Sequence, residues 1–176
     1  MKIVLLTGSH REDGTSFLLA DNFIKGAQEA GHEVFRFNAA CKNIHGCNGC
    51  DVCGMNGPCV QKDDIENELI NQLVNCDMIV LCSPMYFLGM TAQLKTCIDR
   101  FYSRTGRIHG KRSALLLTCA ATEDWMLKPI HAHYNRLVEY MEWRDLGRVI
   151  AKGCAERKDL EKTSFVEDAY KLGKSL

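Results

Sequence analysis

The chain has 176 residues with 22 basic and 22 acidic side chains, so its formal net charge is zero. A neutral chain without a basic run has no long-range field for a phosphate backbone, which argues against nucleic-acid binding. The nearly apolar stretch 114–121 is far shorter than the ~18 residues of a membrane span, and the apolar run after Met1 is too short for a secretory signal. We expect one domain over residues 1–176, neither exported nor membrane-bound, and therefore cytoplasmic.

Five segments have the pattern of β-strands. Three of them, residues 3–6, 78–82 and 114–117, are continuous apolar runs, which are typical of parallel strands buried on both faces. Residues 33–37 and 146–150 each include a charged side chain, as strands at the edges of a sheet do.

Helical patterns fill the intervals between these strands. Apolar spacing predicts helices over residues 17–27, 65–73, 94–101 and about 160–172, and a further helix that opens at Pro129. We expect the neighbouring Asp63 and Asp64 to form a charge pair at the start of the second helix. Alternation of strands and helices predicts an α/β fold with a doubly wound parallel sheet. The edge assignments select the strand order 2-1-3-4-5, a flavodoxin-like three-layer sandwich.

The loop after the first strand, residues 7–16, has the composition of a phosphate site. Ligands of such sheets bind beyond the carboxyl ends of strands one and three, where the winding reverses. This loop is rich in glycine and hydroxyl groups, holds Arg11 and leads into a helix N-terminus, so it suits one terminal phosphate. It lacks both the lysine of a triphosphate loop and the second glycine of the dinucleotide fingerprint. An ordinary capped helix start is the alternative.

Two further loops reach the same edge of the sheet. In residues 83–89 a rigid Ser-Pro is followed by polarizable and aromatic side chains. These side chains could contact a flat heteroaromatic ring; the alternative is that they only pack over the end of the sheet. Residues 118–125 supply small side chains that allow close backbone approach, and Trp125, which could cover the ring. Together the three loops predict a ligand with a phosphate and a flat ring. The candidate binding residues are Ser9, Arg11, Gly14, Thr15, Ser16, Pro84, Met85, Tyr86, Phe87, Thr118, Ala120 and Ala121.

These motifs resemble those of the NADPH-dependent FMN reductase family. Residues 8–16, GSHREDGTS, are similar to its phosphate loop G-S-x-R-x-x-G-N-[ST], with Thr15 where asparagine is usual. The family's S-P-x-Y...A-x-L-K...D-R segment is matched by Ser83-Pro84-Met85-Tyr86, Ala92, Leu94-Lys95 and Asp99-Arg100. The resemblance implies bound FMN and electrons taken from NAD(P)H for a small acceptor such as a quinone or for a redox protein. It also implies a homodimer or homotetramer in which partner chains wall the flavin.

The ten cysteines divide into two groups. One group is scattered and is expected to be buried as small hydrophobic side chains: Cys76, Cys82, Cys97, Cys119 and Cys154. In the other, a loop at about 40–62, the metal candidates Cys47, Cys50, Cys53 and Cys59 form C-x2-C-x2-C-x5-C, a spacing that can surround a cuboidal cluster. The spacing resembles that of the iron–sulfur flavoproteins, which implies a [4Fe-4S] cluster. Zinc, free thiols and a labile disulfide remain as alternatives.

Three functional hypotheses follow from these residues and from the resemblances they carry. The main one is an FMN-dependent oxidoreductase, in which the flavin carries the chemistry and no catalytic side chain is required. The second is an iron–sulfur flavoprotein that carries single electrons. The third is a non-catalytic flavodoxin-like electron carrier, but such carriers are typically acidic and this chain is neutral.

Overall fold

A computed structural model describes residues 1–176 and contains one five-stranded parallel sheet. Its strands are β1 (Lys2–Thr7), β2 (Glu33–Asn38), β3 (Met78–Pro84), β4 (Arg112–Thr118) and β5 (Arg144–Ala151). Their spatial order is β2-β1-β3-β4-β5, and every neighbouring pair is parallel. The predicted strand order and the predicted edge positions of β2 and β5 are confirmed.

Seven α-helices lie between or after the strands. They are α1 (Thr15–Glu29), α2 (Ile70–Asn75), α3 (Ala92–Arg100), α4 (Thr105–Ile108), α5 (Asp124–Tyr140), α6 (Arg157–Leu160) and α7 (Phe165–Lys174). A π-helical turn, Ile65–Leu69, precedes α2, and 3-10 turns occupy Ala39–Cys41 and Phe101–Arg104. None of the helices is long and apolar enough to cross a membrane.

Strict alternation along the central strands places two apolar cores on opposite faces of the sheet. Ile3 and Leu5 of β1 belong to a core of 17 buried residues shared with α1 and α7. Val4 and Leu6 belong to a core of 25 buried residues shared with α2, α3 and α5. Because successive side chains of a strand point to opposite faces, each central strand contributes to both cores. The predicted three-layer sandwich is confirmed.

The helix predicted to open at Pro129 begins earlier, at Asp124, so that prediction is wrong. Asp124 places an acidic side chain in the first turn, where the helix dipole favours it. Pro129 lies on the exposed face, and its missing N–H removes only one bond of the helix. Leu127, Ile130 and Tyr134 are buried on the other face and keep the helix continuous across the proline.

Two other helices also differ from the sequence pattern. The segment predicted as one helix over 160–172 is divided into α6 and α7. The hydroxyl of Thr163 donates to Leu160 O and accepts from the Phe165 amide, which offers the backbone an alternative to helix at the break. The helix predicted over 65–73 starts as the π turn, in which the Ile70 amide bonds to Ile65 O before α2 continues.

Candidate functional site

A cavity of about 490 Å³ opens at the carboxyl ends of β1, β3, β4 and β5. Its volume falls within the range of about 300–1,000 Å³ found for small-molecule sites. The structure brings ten of the predicted binding residues to it: Ser9, Arg11, Gly14, Thr15, Ser16, Pro84, Met85, Tyr86, Thr118 and Ala120. Three loops that are distant in sequence therefore border one space, as the strand order required.

One end of the cavity is the N-terminus of α1, whose backbone donors are free. The N-cap residue Gly14 offers no side chain to cap the helix, and the first intrahelical bond runs from the Leu18 amide to Gly14 O. The amides of Thr15, Ser16 and Phe17 therefore have no hydrogen-bond partner in the chain. Unpaired amides and the positive end of the helix dipole together make a site for an anion.

Hydroxyl groups and one guanidinium surround these amides. Ser9 Oγ accepts a hydrogen bond from the Arg11 amide at 3.1 Å, and Thr15 Oγ1 donates to Thr118 Oγ1 at 3.0 Å. Ser16 is buried and its hydroxyl has no intramolecular partner. The exposed Arg11 side chain forms no ion pair within the chain, so it is available to an anion.

The opposite wall comes from the turn after β3. The Met85 amide donates to Thr118 O at 2.8 Å, which fixes the turn to β4. Tyr86 and Gly89 exchange two backbone hydrogen bonds, which close the turn on itself. Phe87 and Leu88 adopt φ angles of 46° and 66°, a left-handed conformation that is strained for residues other than glycine. On the facing loop, the Ala120 amide has no partner in the chain and can donate to the edge of a ring.

Two predicted binding residues are not brought to the cavity. The tight turn directs Phe87 into solvent, where it is fully exposed. Ala121 packs against the core below α5, and its carbonyl accepts from the Gly153 amide at 3.0 Å. Both residues follow true lining residues in the chain, but a turn sends consecutive side chains in different directions.

The loop after β5 also lines the cavity and was not predicted from the sequence. It contributes Cys154, Ala155, Glu156 and Arg157, and two further lining residues, Asp13 and Cys119, come from the predicted loops but were not among the candidates. Arg157 crosses to the phosphate loop, where its Nη1 donates to Asp13 O at 3.4 Å. The signal was present, because the carboxyl end of an edge strand in a parallel sheet reaches the same edge as its neighbours.

The four cysteines of the metal prediction do not form a preassembled site. Cys47 and Cys50 are exposed, Cys53 is half-buried and Cys59 is buried. No group of three or more Cys, His, Asp or Glu side chains is placed to hold one metal ion. Four thiols on one loop are nevertheless the donor set of an iron–sulfur cluster. The donor chemistry fits a cluster, and the loop would have to close around it.

The scattered cysteines are buried, as predicted. Burial raises the pKa of Cys76 to about 11 and that of Cys82 and Cys97 to about 12. These thiols therefore stay protonated at neutral pH and serve as small apolar side chains.

Asp63 differs from the charge pair expected at a helix start. It does accept a hydrogen bond from the Glu66 amide in the first turn, but its carboxylate is buried against Arg100. Asp64 instead accepts from the Asn43 amide. The two carboxylates diverge, and no local pattern in the sequence indicates the long-range partner of Asp63.

A parallel sheet in this order, with an anion-binding helix terminus beside a cavity at the switch point, defines a protein of the flavodoxin-like class. The chain belongs to the NADPH-dependent FMN reductase family, which matches residues 1–151. This match confirms the family resemblance drawn from the two loops and the prediction of FMN as cofactor.

Similar proteins agree with that assignment. An iron–sulfur flavoprotein of Archaeoglobus fulgidus is 36% identical over 122 residues, which are 68% of this chain and 55% of that protein. Another, from Methanocaldococcus jannaschii, is 36% identical over 100 residues, 57% of this chain and 51% of that protein. This chain thus spans about half the length of the curated relatives it matches.

Solved structures share the fold over the whole chain. An NAD(P)H:quinone oxidoreductase from Methanothermobacter marburgensis superposes with a TM-score of 0.80 at 15% identity, covering 99% of this chain and 95% of that one. An azoreductase from Bacillus anthracis has a TM-score of 0.79 at 18% identity and covers 100% of both chains. At such identities the likeness establishes the fold alone.

Proposed function

We propose that this chain is an FMN-dependent oxidoreductase that takes electrons from NAD(P)H and passes them to a small acceptor such as a quinone, or to a redox protein. The observation that carries the proposal is the cavity itself. It joins three unpaired amides at the start of α1 to a wall of aromatic and sulfur-containing side chains. That combination suits a phosphate at one end and a flat ring at the other.

The protein's part in this chemistry is binding and orientation. Bound FMN supplies hydride acceptance and onward electron transfer. Arg11, the free amides and the Ser9, Thr15 and Ser16 hydroxyls hold the phosphate. Met85 and Tyr86 cover the ring and exclude water, and the Ala120 amide donates to the ring edge.

Substitution of Arg11 tests whether this side chain binds the phosphate. The test can be made from both sides, because Arg11→Ala removes the charge from the protein and riboflavin lacks the phosphate of FMN. Arg11→Ala should weaken FMN binding about tenfold or more, since a charge-assisted hydrogen bond to phosphate contributes about 1.5–3 kcal/mol. Riboflavin, which lacks the phosphate, should bind the variant and the unchanged chain equally well. Quenching of flavin fluorescence measures both affinities.

Arg144→Ala is the matched control, because Arg144 is an exposed arginine at the other end of the sheet. Equal losses for FMN and riboflavin in Arg11→Ala, or no loss at all, would remove Arg11 from the phosphate site. Oxidation of NADH or NADPH by the FMN-loaded chain, with a quinone as acceptor, tests the reaction. Failure with every acceptor would favour the non-catalytic carrier.

A second candidate function, an iron–sulfur flavoprotein, is favoured by the relatives that bear this name and by the C-x2-C-x2-C-x5-C loop. In this case Cys47, Cys50, Cys53 and Cys59 would hold a [4Fe-4S] cluster that exchanges single electrons. The deciding measurement is the visible absorption spectrum, with iron and sulfide analysis, of protein purified without oxygen. A broad shoulder that bleaches on reduction would support the cluster, whereas a clean flavin spectrum without iron would leave four thiols.

The proposed assembly is a homodimer or homotetramer whose partner chain covers the flavin. It is supported by exposed aromatic side chains on the turn after β3 and in the first turn of α5: Tyr86 is 55% exposed, Phe87 is fully exposed and Trp125 is 59% exposed. Exposed aromatic groups of this kind are enriched at protein interfaces.

A further inference from the structure

Both ends of the cysteine motif meet at a single side chain, Arg100 at the end of α3. Its Nη1 donates to His45 O at 2.9 Å, just before the motif begins at Cys47. Its Nη2 donates to Gln61 O at 3.3 Å, just after the motif ends at Cys59. The loop thus leaves and returns at one point, which we call the neck of the cysteine loop (residues 45, 46 and 61).

Asp63 holds Arg100 in this position. The carboxylate accepts two hydrogen bonds from the guanidinium, at 2.7 and 3.1 Å, and the two side chains are only 3% and 1% exposed. Asp63 also accepts from the His45 amide at 2.9 Å, and Gln61 Nε2 donates to Gly46 O at 2.8 Å. These bonds connect the neck, Asp63 and the end of α3 into one network.

A buried ion pair is a poor means of stabilising a fold, because well-packed apolar residues of the same volume often do as well or better. An apolar side chain cannot, however, donate to the carbonyls of His45 and Gln61. The planar guanidinium makes four bonds at once, one to each carbonyl and two to the carboxylate, whereas a lysine ammonium has only three donors and no planar fork. The distinctive contribution of this pair is therefore the conformation of the loop.

The same helix is fixed at its other end to β3 and to the phosphate loop, two elements that border the cavity. At the start of α3 the Thr91 amide donates to Ser83 Oγ at 3.1 Å, and Thr91 Oγ1 caps the Leu94 amide. Gly8 of the phosphate loop packs so closely here that an added Cβ would lie 2.1 Å from Thr91 Oγ1. The helix α3, about 13 Å long at 1.5 Å per residue, therefore spans from the cavity to the neck.

We propose that Arg100 is the positioning residue of the cysteine motif. Held by Asp63, it closes the neck of the loop that carries the four motif cysteines and ties that loop to the helix leaving the cavity. Tyr102 and Arg104, on the turn that follows α3, reinforce the position by donating to Asp51 Oδ1 and Gly57 O. The link that α3 makes between the cysteine loop and a flavin site rests on the proposed function. The closure of the neck by Arg100 does not.

The experiment compares Arg100→Lys and Asp63→Asn with Lys95→Met, a control on the same helix that removes only an exposed ion pair. The full chain is loaded with FMN, freed of metal with a chelator and treated with N-ethylmaleimide, and the labelling rate of each cysteine is read by mass spectrometry. Because Arg100→Lys keeps the charge and loses the fork, it separates geometry from charge. The dissociation constant for FMN is measured on the same samples.

In both test variants Cys59 should become labelled about tenfold faster or more, the effect expected when hydrogen bonds from a charged donor are lost. Cys82 and Cys97 in the cores should stay unlabelled, and FMN affinity should not change. Continued protection of Cys59 in Arg100→Lys would overturn the proposal. So would parallel labelling of Cys82 and Cys97, because the pair would then support the whole fold. Failure of the unchanged chain to bind FMN would contradict the proposed function and still leave the labelling readable.

Discussion

At the scale of single residues, Gly14 is a position of the phosphate loop where an added side chain would collide with the loop itself. An added Cβ would lie 2.9 Å from Arg11 O and 3.1 Å from Arg11 Cβ. The backbone of Gly14 has a φ of −78°, which any residue can adopt, so the cost is the displacement of Arg11 and not strain at position 14. Gly14→Ala should weaken FMN binding about tenfold, which corresponds to 1.4 kcal/mol.

Gly46→Ala is the matched control for Gly14→Ala, since nothing lies within 4 Å of its added Cβ. Fluorescence titration measures FMN affinity, and thermal unfolding measures stability. An unchanged FMN affinity in Gly14→Ala would show that the turn at Arg11 does not shape the site.

Exposure predicts which thiols of the metal-free, FMN-loaded protein react. Cys41, Cys47 and Cys50 are exposed and should be alkylated rapidly at pH 7. Cys76, Cys82 and Cys97 are buried with raised pKa values and should react only after unfolding. Alkylation followed by peptide mass analysis tests this, and rapid labelling of Cys82 in the folded protein would contradict it.

The residues that the sequence could and could not identify differ for a physical reason. Ser9, Arg11 and Ser16 were predicted for the cavity because the end of β1 and the start of α1 are local features of the chain. The Asp63–Arg100 pair was not predicted, because no local pattern relates a carboxylate and a guanidinium on different elements. Phe87 lies outside the cavity, since the direction of a side chain in a turn depends on φ angles that hydropathy does not encode.

At the scale of elements, α1 and α7 pack backbone to backbone through two glycines. A Cβ added to Gly26 would lie 2.1 Å from Tyr170 O, and one added to Gly173 would lie 2.2 Å from Phe23 O. Gly26→Ala should destabilise the fold by about 1–3 kcal/mol, because backbone atoms cannot move aside as side chains do. This outweighs the ~1 kcal/mol that alanine gains in helix propensity.

Urea denaturation measures this effect, with Gln28→Ala on the exposed face of α1 as the control. An unchanged midpoint in Gly26→Ala would mean that the two helices can separate at little cost. The packing was invisible in the sequence, where Gly26 is simply a glycine inside a helical pattern.

The neck of the cysteine loop should be sensitive to acid. Burial alone would raise the pKa of Asp63, but hydrogen bonds from Arg100 and from the His45 and Glu66 amides outweigh it and bring the pKa below its ordinary value of 3.8. The carboxylate therefore contributes stability that is fully present above the unfolded-state pKa and is lost as the pH falls through the folded-state pKa.

Thermal unfolding of the unchanged chain and of Asp63→Asn between pH 3 and 8 tests this sign. The difference in Tm should be constant above about pH 5 and should shrink below about pH 4. The other titratable groups nearby are His45, whose Nδ1 lies 3.7 Å from Asp63 Oδ2, and Glu66, which is paired with Arg104. Glu66→Gln is therefore the control for loss of a neighbouring carboxylate. A difference that persists unchanged at pH 3 would contradict the prediction.

At the scale of the whole molecule, the architecture was the most predictable feature. Strands buried on both faces have continuous apolar runs, whereas an amphipathic helix has apolar residues spaced three or four apart. Charged side chains on β2 and β5 indicated that these strands lie at the edges of the sheet. The interval between β5 and the end of the chain was less well predicted, because Thr163 ends α6 through a local hydroxyl contact. Patterns of burial thus determined the order of the strands, while polar contacts determined where helices end.

Assembly is the property of the whole molecule that the exposed aromatic residues allow us to test. Phe87 is fully exposed and sits at a strained left-handed φ of 46°, an arrangement that would be costly without a contact for the side chain. If a partner chain covers it, Phe87→Asp should convert the oligomer to a monomer, because a charge would be buried without a partner. Light scattering coupled to size-exclusion chromatography measures the mass.

Tyr140→Ser, which removes another exposed aromatic side chain, should leave the assembly intact. A monomeric unchanged chain, or an unaffected oligomer in Phe87→Asp, would place the aromatic turn outside any interface between copies.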